Sequence, residues 1–101
     1  MNAALPNEPK VLDLLRNNRV SFAALFGSRA KGEYAAESDF DLLIEFEPDA
    51  SASFFRMAGM QRDLEHLLHK PVDLVTTGGL HPLMKQRVMD SLKVLYDQRK
   101  G

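Results

Sequence analysis

Cysteine is absent from the 101-residue sequence, which excludes disulfides and every metal site built on thiolates. A surplus of charge is also missing: 13 basic residues stand against 14 acidic ones, a formal net charge of −1. A protein that grips long nucleic acid by neutralising phosphates carries a basic excess, so that class is disfavoured, while a local basic pocket for a triphosphate is still allowed. No apolar run approaches the length of a membrane span. The opening MNAALPNEPK has neither the basic start nor the apolar stretch of a secretory signal. What remains is an ordinary globular balance, 45% hydrophobic and 27% charged. The expectation is a cytoplasmic protein with one domain over 1–101, free of membrane and long nucleic acid, whose core is modest enough for a partner to add to its stability.

Along the chain, Asn7 is placed to cap a helix with Glu8 and Pro9 in its first turn, and Val11, Leu12 and Leu15 give that helix one apolar face. The polar stop Asn17-Asn18-Arg19 precedes a seven-residue apolar run from Val20 to Phe26, read as a buried strand ending at Gly27. Residues 28–37 are small and polar, a turn or short helix. Phe40 to Phe46 reads as a second strand. Ser51 or Ser53 then opens a helix with Phe54, Met57, Ala58, Leu64, Leu67 and Leu68 at helical spacing. Val72 to Val75 is a third strand, a last helix follows Pro82 with Leu83, Met84, Val88 and Leu92, and Val94-Leu95-Tyr96 is a candidate fourth strand. The fold class is α/β (α+β): a small mixed sheet with helices packed on it.

The chemistry concentrates in Gly27-Ser28-Arg29 and Ser38-Asp39-Phe40-Asp41. Residues two apart on a strand point to one face, so Asp39 and Asp41 project together while Phe40 faces the core. Like charges held that close repel unless a cation sits between them, and hard oxygen ligands select magnesium or manganese. Two metals about 3.5–4 Å apart can clamp the attacking and leaving oxygens of a displacement at phosphorus. Such a site wants a third carboxylate. Asp73, flanked by Val72 and Leu74, is the candidate, because an apolar run is a costly place for a charge without a counter-ion.

The helix between the second and third strands is a natural crossover, which makes those strands parallel neighbours with Asp41 and Asp73 near the same end. For Gly27 to share the site, the first two strands must run antiparallel. Glycine lets a ligand approach the backbone closely, and a hydroxyl with N–H groups at a turn favours an anion.

Gly-Ser, a short variable stretch, Ser-Asp-Phe-Asp-Leu and a later apolar-flanked aspartate together resemble the nucleotidyltransferase superfamily of the DNA polymerase β type. The stretch GSRAKGEYAAESDFDLLIEF is similar in particular to the minimal nucleotidyltransferase (MNT) group, often encoded beside HEPN-domain proteins. The resemblance implies the nucleotidyltransferase fold. It also implies a glycine-serine turn, Gly27 and Ser28, on the triphosphate, and Asp39, Asp41 and Asp73 as both metal ligands and catalytic carboxylates for two magnesium ions. ATP would be the substrate, with a HEPN-domain toxin as partner and AMP acceptor. Arg29 and Ser38 complete the candidate nucleotide-binding set; alternatively Arg29 is a solvated turn charge and Ser38 only braces the start of the strand.

Two other functions stay open: transfer to a small molecule of the antibiotic type, and neutralisation of a partner by contact alone. His66 and His69 lack the four-residue spacing of the zinc helix motif and read as a solvated helix end. Met57 and Met84 are expected in the core.

Overall fold

Residue types set the elements, and the sheet fixes which of their faces are covered. The computed structural model describes residues 5–27, 39–50 and 53–99. Helix α1 spans Glu8–Asn17 and buries Val11 and Leu15 completely. Strand β1, Val20–Phe26, is buried along nearly its whole length, as a seven-residue apolar run requires when both faces are covered. Strand β2 is Phe40–Phe46, helix α2 Phe54–Leu68, strand β3 Val72–Thr76, helix α3 Pro82–Asp90 and strand β4 Lys93–Asp97. The expected short helix or turn over 28–37 lies outside the described residues.

The sheet has the order β3-β2-β1-β4. β1 is antiparallel to both β2 and β4, and β2 is parallel to β3. The antiparallel first pair and the parallel crossover pair are the arrangement that the sequence demanded. On one face, Val11 and Leu15 of α1 with Met60, Leu64 and Leu68 of α2 form one core cluster with Ala23, Leu25, Leu42, Ile44 and Tyr96. On the other, Phe22, Ala24 and Leu43 cluster with Val88 of α3, joined by Phe26, Val75, Leu80 and Leu92. The Tyr96 hydroxyl donates to the Val20 carbonyl at 2.7 Å, and burial pushes its phenol up to about 12.

Ser53 caps α2 as expected, its hydroxyl accepting from the Arg56 amide at 3.1 Å. Asn7 does not cap α1 with its side chain. It sits in the left-handed region at φ 56° with no side-chain capping bond, and its amide instead donates to the Leu67 carbonyl at 2.7 Å, tying α1 to the end of α2. The apolar faces are also narrower than their periodicity implied. Phe54 is 80% exposed, Leu83 82% and Met84 45%, so Met84 is not a core residue, whereas Met57 packs against the larger cluster. Phe54 opens α2 and Leu83 lies in the first turn of α3, where a helix begins before the sheet covers it. Leu92 lies past the end of α3 and reaches the second cluster from there.

Candidate active site

Three chain segments bring the candidate residues to one end of the sheet. Antiparallel pairing sets Phe26 opposite Asp41, so Gly27, the next residue, ends β1 beside the start of β2. Parallel pairing sets Asp41 opposite Asp73. Register partners on adjacent strands share a face, and the core residues Phe40, Leu42, Val72 and Leu74 occupy the opposite one. Asp41 and Asp73 therefore project from the α3 side of the sheet, and Asp39 precedes β2 by one residue.

Electrostatics record this convergence. The Asp41 carboxyl is held above the ordinary carboxylate range, first by burial, then by the charge of Asp73, then by that of Asp39. Each acid thus disfavours ionisation of the central one. None of the three is ion-paired to a cation among the described residues.

Gly27 has φ +75°, and a Cβ built on it would lie 2.5 Å from Oδ2 of Asp41. Only glycine lets the strand end in this direction with the carboxylate in place. Its amide donates to the Ser91 hydroxyl at 3.2 Å.

The donor chemistry fits a hard divalent cation: three carboxylates, with no counter-ion among the described residues. No three such side chains stand grouped around a metal position among the described residues. Ser28, Arg29 and Ser38, the remaining candidates for the nucleotide, lie outside the described residues.

Two residues of this region escaped the sequence reading. Ser91 terminates α3, whereas the sequence reading ran that helix on to Leu92. Glu65 accepts a hydrogen bond from the Val72 amide at 3.0 Å, bracing the residue before Asp73 from the last turn of α2. Neither contact has a local sequence signal, because each joins elements that only the fold brings together. His66 and His69 are both exposed; His69 ends α2 at φ 57° with its amide on the Glu65 carbonyl.

The chain belongs to the polymerase β nucleotidyltransferase family: the family model described as "Polymerase beta, Nucleotidyltransferase" matches residues 9–101. It is 35% identical over 81 residues to a Methanocaldococcus jannaschii protein named a "putative protein adenylyltransferase", covering 80% of this chain and 85% of that one. Among solved structures, a toxin–antitoxin crystal structure with AMP-PNP superposes with a TM-score of 0.78 at 26% identity, over 92% of this chain and 75% of that one. A tri-AMPylated Shewanella oneidensis HEPN toxin in complex with its MNT antitoxin gives a TM-score of 0.69 at 25% identity, over 90% and 70% of the respective chains. The three helices and four-stranded mixed sheet of the described residues are those of the nucleotidyltransferase fold, and the chain is a nucleotidyltransferase.

Proposed function

We propose that this nucleotidyltransferase transfers AMP from ATP to a hydroxyl of a HEPN-domain toxin, and so serves as the antitoxin of a cytoplasmic toxin–antitoxin pair. The observation that carries the reading is the convergence of Asp39, Asp41 and Asp73 beside Gly27 at one end of the sheet. Similarity to a named protein adenylyltransferase and to toxin–antitoxin structures, one with AMP-PNP and one with an AMPylated toxin, supports the choice of nucleotide and acceptor.

Asp39, Asp41 and Asp73 would hold magnesium, which when bound supplies positive charge against the triphosphate and the oxygens exchanging at phosphorus. Gly27 leaves room for the phosphates at the strand end, and the Ser28 hydroxyl donates to a phosphate oxygen. Arg29 would add positive charge there, and Ser38 completes the proposed nucleotide-binding set. The acceptor oxygen attacks the α-phosphorus, the bond to the bridging oxygen breaks, and pyrophosphate leaves. Asp73 accepts the proton of the acceptor hydroxyl. Positioning and charge stabilisation provide most of the acceleration.

The test combines the chain with a HEPN-domain toxin, ATP and magnesium, followed by intact-protein mass spectrometry. The expected result is one or more AMP units on the partner, absent with Asp41→Asn. Equal silencing of the partner by wild type and Asp41→Asn, with no added mass, would instead make the protein a contact neutraliser. AMP found on an aminoglycoside and not on protein would make it a small-molecule transferase.

A further inference from the structure

We infer that Ser91 is a positioning residue for the triphosphate turn, acting through its hydroxyl on the Gly27 amide; the inference rests on the nucleotidyl-transfer reading above. The Gly27 N–H donates to Ser91 Oγ at 3.2 Å. The same oxygen lies 3.3 Å from the Arg87 carbonyl and 3.4 Å from the Val88 carbonyl. A serine hydroxyl has one proton and two lone pairs. It accepts from the end of β1 and returns its proton to the last turn of α3.

Two consequences follow from that bond. The Gly27 amide already has a partner, so this residue contributes to anion binding by its shape and direction, not by its own N–H. In addition, a glycine at φ +75° is in a conformation it leaves easily, since it pays little for most backbone angles. The Ser91 hydroxyl selects one of those conformations. It can do so because α3 is itself seated, with Val88 buried against Phe22, Ala24 and Leu43. Gly27 is thus bounded by Ser91 at its nitrogen and by Asp41 where a side chain would project. Losing the hydroxyl loosens the turn while Asp41 and Asp73 keep their paired register, so ATP binding suffers and turnover of bound ATP does not. A serine that merely ended α3 would show the reverse: a lower melting temperature with an unchanged KM.

The test uses the full chain with its HEPN-domain partner and compares wild type with Ser91→Ala and Ser91→Thr. Amide exchange at Gly27 is followed by NMR, ATP binding with magnesium by calorimetry, and AMP transfer by steady-state kinetics. Ser91→Ala should speed Gly27 exchange and raise both Kd and KM for ATP roughly three- to ten-fold, the worth of one hydrogen bond, with kcat little changed; Ser91→Thr should restore all three. Should Ser91→Ala not fold, Ser91→Cys carries the comparison, a thiol being a weak acceptor. Wild-type ATP affinity in the hydroxyl-less variant, or a weakened affinity that Thr fails to restore, overturns the inference alone. A wild-type chain that binds no ATP overturns the nucleotidyl-transfer reading and this inference with it.

Discussion

Gly27 and Asp41 are fitted to each other: the place where any other residue at position 27 would put its Cβ is 2.5 Å from a carboxylate oxygen of Asp41. That oxygen is the far end of a side chain, so the clash is relieved by turning the carboxylate away. Gly27→Ala should therefore cost only about 1–2 kcal/mol of stability, the price of a left-handed angle for an L-residue, yet lower AMP transfer about as far as removing the Asp41 charge does. Denaturant unfolding and the transfer assay together check this; an alanine variant with wild-type turnover would sink the role given to the glycine.

Asp41→Asn should reduce AMP transfer on the order of a hundredfold or more and, without divalent cations, slightly raise stability at neutral pH. The sign follows from the direction of the shift. Burial, Asp73 and Asp39 raise the folded Asp41 above its ordinary 3.8, so the folded state holds this proton more tightly than the unfolded one. The stability from this group is full below pH 3.8 and is lost as pH rises through the raised value. Asparagine never suffers that loss. Melting curves in EDTA should show the variant ahead at pH 7 and level with wild type in acid.

Tyr96→Phe should cost about 0.5–1.5 kcal/mol by deleting the bond to the Val20 carbonyl. Because the folded phenol is raised from 10.0 to about 12, its stabilisation is complete below pH 10 and fades as pH rises through about 12. Urea unfolding at a series of alkaline pH values should show the wild type losing stability over that interval and the phenylalanine variant lacking that slope.

Ser53→Ala removes the cap of α2 and should cost about 1 kcal/mol. The cap is at the end of the helix opposite to the one leading into β3, so turnover per folded molecule should be unchanged. A large fall in kcat would show that α2 transmits more to Asp73 than the fold indicates.

The strands were legible in the sequence because their signal is burial: the apolar run Val20–Phe26 and the Phe40–Phe46 segment, with Phe40, Leu42, Leu43 and Ile44 buried, coincide with the observed strands. The relation of Asp41 to Asp73 was legible too, since a helical crossover leaves parallel neighbours almost no alternative. Periodicity identified the helical faces but not how far the sheet would cover them, and Phe54, Leu83 and Met84 were misjudged for that reason. Asn7 offered capping chemistry, but its side chain found the Leu67 carbonyl, a contact sixty residues away that no local rule contains. Ser91 and Gly27 are likewise brought together only by the closing of α3 onto the sheet.

The parallel joining of β2 to β3 through α2 also sets when, during synthesis, the protein acquires its chemistry. Asp39 and Asp41 leave the ribosome early, together with the strand that pairs with β1, but Asp73 joins them only after α2 has folded back across the sheet. Pairing between segments distant along the chain forms late, because loop-closure entropy must be overcome first. A growing chain that stops before β3 holds two of the three acids and nothing to set them against. On the roles proposed above, a product truncated before β3 would lack Asp73, and with it both the third acid and the proton acceptor.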